Sequence, residues 1–304
     1  AAVLEMGISD FGEMTRLAKI AKPDTCVITN IGTCHLENLG DRDGVLKAKT
    51  EIFQYVKRNI VLNGDDDKLS TVKEYNGMQP VFFGNGENAS VTCENVESRG
   101  LKGMSCDICL KGKMAENGEF QIFHVDIPMP GRHMVSNALA AAAVGRLYGL
   151  NAEQIKNGIE SLEPVSGRFN MIETDKFLIV DDCYNANPMS MKASLDVLHD
   201  GEGRRVAILG DMGELGEDEA ALHEGVGIHA ATCGIDACVC VGDLAVHIAE
   251  AARKANPDFP VYYEKTRESL LEHLNDYVQK GDTILVKASH FMKFEEVVKA
   301  LEEM

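Results

Sequence analysis

The chain has 304 residues and a formal net charge of −18, with 45% hydrophobic and 26% charged residues. That composition suits a globular protein with room for two cores. The acidic excess excludes a phosphate-backbone groove as the main surface, but not a nucleotide site, where a few local cations or a metal ion dominate. No apolar run approaches the length of a membrane span, and the alanine-rich stretch 138–144 reads as a packed helix. Nine cysteines without a regular framework, in a chain of this size, predict reduced thiols and a cytoplasmic protein.

In chain order, the apolar run Ala2-Val3-Leu4 reads as a short strand ending at Glu5. The β-branched run 26–29 reads as a buried parallel strand, with His35 just beyond it and Lys49 in the helix that follows. Further strands are expected at 59–62 and 80–83, the first ending in Asn63-Gly64-Asp65-Asp66-Asp67. From 89 to 127 the period becomes two, with turn residues such as Glu116-Asn117-Gly118, which predicts antiparallel hairpins. Cys106 and Cys109 have metal-ligand spacing, but no second pair accompanies them and the segment is strand-like. Pro128-Met129-Pro130-Gly131 breaks the chain before a helix from about 132 to 148, and a shorter helix at 152–162 precedes Pro164.

The segment 164–167 is the expected domain boundary. Beyond it, strand-like runs at 177–180, 206–209, 237–241, 261–263 and 283–286 alternate with helical patterns, the signature of a doubly wound parallel sheet. Cys238 and Cys240 alternate within one of these runs and read as buried strand residues. The expected architecture is therefore α/β throughout. Residues 1–165 form a mostly parallel sheet with an antiparallel hairpin region, and residues 166–304 form a Rossmann-like doubly wound domain.

Open α/β sheets gather ligands just past the carboxyl ends of their strands. Glu5 and His35 stand at such ends, and a carboxylate and an imidazole are both good ligands for a divalent cation. A lysine is not, because its ammonium is cationic and offers no acceptor. Lys49 could join a cation only by losing its proton or by becoming a carbamate; otherwise it is a solvated helix lysine like Lys47. Gly131 opens a helix whose N-terminal amides favour anions. Asn137, one turn inside, carries an amide that can read a purine edge or simply sit on a polar face. Asp181-Asp182-Cys183-Tyr184-Asn185-Ala186-Asn187-Pro188 puts far more polar chemistry at a strand end than packing needs, and Pro188 suits an early helix position. Gly210–Gly216 and Lys287-Ala288-Ser289-His290 follow two further strands, so the three clusters should share one rim.

Taken together, DDCYNANP at 181–188, GDMGELG at 210–216, GRHMVSNALAA at 131–141, and TNIGTCHLENLG with AKTEIF between 29 and 53 resemble the Mur ligase family. That family builds the peptide of bacterial cell-wall precursors, and the likeness is greatest to the type that adds D-alanyl-D-alanine. The resemblance covers essentially the whole chain. It implies a cytoplasmic, monomeric, ATP- and Mg²⁺-dependent ligase without nucleic-acid partners. The terminal carboxylate of a UDP-N-acetylmuramoyl-tripeptide would become an acyl phosphate, and the amine of D-Ala-D-Ala would then attack it. Carried over by motif, Glu5 and His35 would hold Mg²⁺, with Lys49 as a carbamylated, metal-supporting residue. Asn137 and His133 would contact adenine, Arg168 the phosphates and Asp182 the ribose. Tyr184, Asn185, Asn187 and Ser289 would orient the dipeptide or close the site.

Three positions depart from the family pattern. Cys183 stands where serine is usual, and KASH replaces KGSR, so no role carries over to His290. No GxxxxGK[ST] phosphate loop occurs in these residues. The expectation is thus a piece of a longer ligase, with most of a central ATP-binding domain and a C-terminal domain, inactive by itself. The alternatives are another Mur or folylpolyglutamate-type ligase, or a non-catalytic nucleotide- or peptide-binding protein.

Overall fold

The computed structural model describes residues 1–33, 35–165 and 167–304; position 34, inside the first motif, and position 166, at the expected boundary, lie outside these. The chain divides into two compact units, Ala1–Leu162 and Glu163–Met304. No helix among the described residues is long and apolar enough to cross a membrane.

The first unit is built on a six-stranded sheet in the order β1-β2-β3-β4-β5-β6. The strands are β1 (Thr25–Ile28), β2 (Asn59–Asn63), β3 (Val81–Phe83), β4 (Ala89–Ser98), β5 (Met104–Lys111) and β6 (Phe120–Ile127). Strands β1 to β3 are parallel, β3 meets β4 in a short irregular parallel contact, and β4, β5 and β6 form the antiparallel region. Period-two burial explains the two-sided core. Ile60 and Leu62 of β2 face the cluster shared with helices α1 (Glu13–Ala21) and α3 (Arg42–Thr50), beyond the short α2 (Leu36–Leu39). Val61 faces the other way, into the cluster under α4 (Arg132–Leu147) and α5 (Ala152–Glu160). The alanines of α4 allow its backbone to lie close to the sheet.

One expectation fails here. Residues 2–4 are not a strand. They pair with none of the sheet strands, and Val3 is 97% and Leu4 61% exposed. A three-residue apolar run carries β propensity, but a strand exists only through its ladder partners. Cys106 and Cys109 lie in β5, where an odd spacing of three sends their side chains to opposite faces of the sheet, so they cannot chelate one ion.

The second unit carries a sheet in the order β11-β10-β9-β12-β8-β7. Its strands are β7 (Asn170–Glu173), β8 (Leu178–Asp181), β9 (Arg205–Gly210), β10 (Ala237–Val241), β11 (Val261–Glu264) and β12 (Thr283–Lys287). Strands β8 to β12 are parallel, and α6 (Pro188–His199), α7 (Glu219–Thr232), α8 (Ala245–Ala255), α9 (Arg267–Tyr277) and α10 (Glu295–Glu303) connect or flank them. β7 has no apolar alternation to mark it. It is an antiparallel edge strand on β8, so the sheet is mixed rather than wholly parallel. Cys238 and Cys240 are buried in β10 with their sulfurs 3.5 Å apart. The last strand, β12, inserts between β8 and β9. The chain therefore turns back from the edge strand β11 to the centre of the sheet, and the loops after β8, β12 and β9 leave neighbouring strand ends, where ligands gather in such folds.

Candidate functional site

In the second unit, the three polar loops meet at the carboxyl ends of β8, β12 and β9, which are adjacent strands. Ser289 stitches them together. Its N–H donates to the Asp211 carbonyl at 3.0 Å, its Oγ accepts from the Gly213 N–H at 2.9 Å, and the same hydroxyl donates to the Ala186 carbonyl at 3.4 Å. Ser289 is buried. Its hydroxyl is committed to loop architecture rather than to solvent.

The other residues of this rim divide between structural and open roles. Asn187 is the N-cap of α6: its Oδ1 accepts from the Ser190 N–H at 2.9 Å, Ser190 Oγ answers to the Asn187 N–H, and Pro188 occupies the first helical turn. Asn185 is exposed and its Oδ1 accepts from the Ala186 N–H at 2.8 Å. Tyr184 is half exposed; the Arg168 guanidinium carbon lies 4.4 Å from its ring centroid and the His290 ring 5.8 Å away. His290, for which no role was expected, thus shares an aromatic and cationic rim with Tyr184 and Arg168. The Asp182 carboxylate is already engaged by Lys287 Nζ at 2.6 Å, Ser194 Oγ at 2.7 Å and the Phe169 N–H at 3.2 Å. Cys183 is buried, and its thiol donates to Asp181 Oδ1 at 2.9 Å; burial and that carboxylate push the thiol well above its ordinary range.

Sequence reasoning missed two groups that shape the loop at 210–216. The Asp211 carboxylate accepts the N–H groups of Leu244 and Ala245 at 3.1 and 2.7 Å, serving the start of α8, which has no side-chain cap of its own. Burial raises the pKa of this carboxyl. Gly242 is required beside it: φ is +124°, and a Cβ would lie 2.3 Å from Asp211 Oδ1. His223 is fully buried. Its Nε2 accepts from the Met212 N–H at 2.9 Å while Nδ1–H donates to the Glu219 carbonyl at 2.7 Å, and burial lowers its pKa. A histidine inside the apolar pattern of α7 was the one available signal.

In the first unit, Lys49 is half buried on α3 and its Nζ donates to the Asn30 carbonyl at 3.0 Å, at the loop after β1. Lys47 is exposed and lies over the Phe11 ring instead. His35 sits half buried at the N-cap of α2 with φ +59°, a left-handed conformation. Glu5 lies in the exposed segment before α1. Glu51 was not singled out from sequence, yet it accepts from the Gly12 N–H, the Thr15 N–H and the Thr15 hydroxyl at 2.9 to 3.1 Å. Burial opposes its ionisation, but these donors outweigh that and lower its pKa. Gly12, the N-cap of α1, supplies no side chain, and Glu51 replaces it across the fold. His133 and Asn137 are exposed on one face of α4, four residues apart.

As a metal test, the described residues hold no group of three or more His, Cys, Asp or Glu side chains able to bind an ion. Glu5 and His35 supply two ligands of the right chemistry, and Lys49 in its unmodified form supplies none. Such a set suits Mg²⁺ only in its usual mode, with one or two protein ligands completed by phosphate oxygens and water.

Residues 1–145 match the family profile Mur ligase middle domain, and residues 167–290 match Mur ligase, glutamate ligase domain. Among characterised relatives, the UDP-N-acetylmuramoyl-tripeptide–D-alanyl-D-alanine ligase of Bacillus subtilis is 37% identical over 305 residues, covering 99% of this chain and 64% of that protein. The crystal structure of MurF from Acinetobacter baumannii superposes with a TM-score of 0.87 at 30% identity, over 99% of this chain and 64% of that one. The MurF ligase of Thermotoga maritima in complex with ADP gives 0.79 at 28% identity, over 97% of this chain and 65% of that one. The chain thus spans about 64% of the length of the Bacillus relative.

Proposed function

The chain belongs to the Mur ligase family, and we propose that it forms the middle and C-terminal parts (residues 1–165 and 166–304) of an ATP-dependent ligase that joins D-Ala-D-Ala to UDP-N-acetylmuramoyl-tripeptide. One observation carries this reading. The residues that make the family motif in the second unit are drawn onto one rim by Ser289, at the carboxyl ends of the neighbouring strands β8, β12 and β9.

In this proposal Arg168 meets the phosphates, its charge spread against the Tyr184 face. Asn137 and His133, neighbours on α4, read the adenine edge. The exposed Tyr184, Asn185 and His290 border the space for the dipeptide, while Asn187 and Ser289 hold the loops that border it. Asp182 remains the ribose contact, with Oδ1 the less heavily engaged oxygen. Glu5 and His35 would hold Mg²⁺, which when bound would offset repulsion between the substrate carboxylate and the nucleotide phosphates. Lys49, held beside the loop after β1, is where a carbamate would add an oxygen donor. Peptidoglycan precursor synthesis takes place in the cytoplasm, and a monomer suffices for these roles.

The test uses the whole reading frame that encodes these residues. With ATP, Mg²⁺, UDP-N-acetylmuramoyl-tripeptide and D-Ala-D-Ala, the product should release ADP and yield the UDP-linked pentapeptide by mass spectrometry. ADP release with another amino acid or with glutamate, and none with D-Ala-D-Ala, would replace this reading with a different ligase of the family.

A further inference from the structure

Lys287 ends β12 with its side chain 3% exposed, one of the few buried charges in the second unit. A lysine rarely tolerates such burial without compensation. Here Nζ donates to Asp182 Oδ2 at 2.6 Å, to the Asn185 carbonyl at 3.0 Å and to the Asp182 carbonyl at 3.4 Å, which uses all three protons. Ser194 Oγ reaches the same carboxylate oxygen at 2.7 Å. The other oxygen, Oδ1, accepts the Phe169 N–H at 3.2 Å. The preceding carboxylate, Asp181, takes the Gly167 N–H at 2.9 Å, and the Tyr184 N–H donates to the Gly167 carbonyl at 3.0 Å. The residues on both sides of Arg168 are therefore tied to the 181–185 loop. Phe169 holds φ +55°, a left-handed conformation that is unfavourable for a non-glycine residue and persists only when its surroundings enforce it.

We propose that Lys287 is a positioning residue: through Asp182 and the Asn185 carbonyl it sets the 181–185 loop and, with it, the turn that stacks Arg168 on Tyr184. Its functional meaning rests on the reading of Arg168 as the phosphate-binding group. Lys287 touches no reactant. It converts one buried charge into the fixed direction of another, exposed one.

The 304-residue chain, labelled with ¹⁵N, tests both parts. The Arg168 Nε–H resonance is assigned by its loss in Arg168→Lys, and in the parent protein it should carry the upfield ring-current shift of a guanidinium over an aromatic face. In Lys287→Met that shift should disappear while methyl signals of Ile179 and Val239 stay in place. Lys287→Met leaves an unpaired buried carboxylate that could unfold the unit, so the double variant Lys287→Met/Asp182→Asn removes that charge; it too should lack the Arg168 shift. A retained shift in either folded variant overturns the positioning role. Titration with inorganic tripolyphosphate reads the other part. The parent Arg168 resonance should move, and affinity should fall about tenfold in the double variant, the worth of one charge-assisted hydrogen bond. A parent resonance that ignores tripolyphosphate would instead overturn the phosphate-binding reading, with the ring-current result standing on its own.

Discussion

The ammonium of Lys49 lies 3.0 Å from the backbone carbonyl oxygen of Asn30, so α3 delivers a cation to the loop that follows β1. Lys47, two residues earlier on the same helix, is exposed and lies over the Phe11 ring instead. If Lys49 carries a carbamate, ¹³C-bicarbonate should produce a carbamate carbon resonance that is absent from Lys49→Ala. In the whole ligase the same substitution should cut turnover by about 10²-fold or more, as loss of a group acting in the transition state does. A full set of carbon signals in Lys49→Ala would reject the carbamate.

His35 occupies a left-handed position, φ +59°, so asparagine, which tolerates that conformation, is the cleaner replacement. In the whole ligase His35→Asn should raise the Mg²⁺ concentration needed for half-maximal rate by about 10- to 100-fold, the usual scale for disturbing a metal environment. A magnesium titration superimposable on the parent would remove His35 from the metal site.

Glu51 supports the start of α1 from 39 residues along the chain from Gly12. Glu51→Ala should destabilise that unit by about 2 kcal/mol, as expected when hydrogen bonds to a charged group are lost. Because its folded pKa is lowered, its stabilisation is present above the unfolded value of about 4.3 and fades as pH falls through the folded value. Urea unfolding at neutral and acid pH checks both statements: the gap between parent and variant should narrow in acid.

His223 is neutral and fully buried, with a lowered pKa. The unfolded chain takes up this proton first, near pH 6.5, so the second unit should lose stability as pH falls from that value toward the folded pKa. Asp211 acts in the opposite sense. Its raised pKa means the folded state holds a proton longer, so stability declines as pH rises through the interval above about 3.9. Replacing His223 by glutamine, whose amide can also donate and accept, should flatten the fall in stability that begins near about pH 6.5 as the solution is acidified. An unchanged slope there would assign the acid sensitivity elsewhere.

The 304 residues contain no GxxxxGK[ST] segment to cradle the phosphates. The isolated chain should therefore release no ADP from ATP above background. Steady ADP release, abolished by Lys49→Ala, would show that these residues suffice for phosphoryl transfer.

Hydrophobic periodicity and turn chemistry made most of the elements legible, because burial on a sheet face or under a helix leaves a local pattern. β10 coincides with its expected span at 237–241, and the Asn117-Gly118 turn falls just before β6. What lacked a local pattern was missed or misplaced. β7 takes its place by pairing on β8, and residues 2–4 have apolar character but no ladder partner. The motif residues could be named from sequence because several polar types crowded at strand ends are costly unless they are used. Their division of labour could not. Asn187 as a helix cap is a local contact three residues long, but Ser289 as a stitch, Asp182 as the partner of Lys287 and Glu51 as the cap of α1 depend on contacts between residues 39 to 105 positions apart. A hydrogen bond or buried ion pair is set by where tertiary packing brings two groups, and no spacing along the chain encodes that distance.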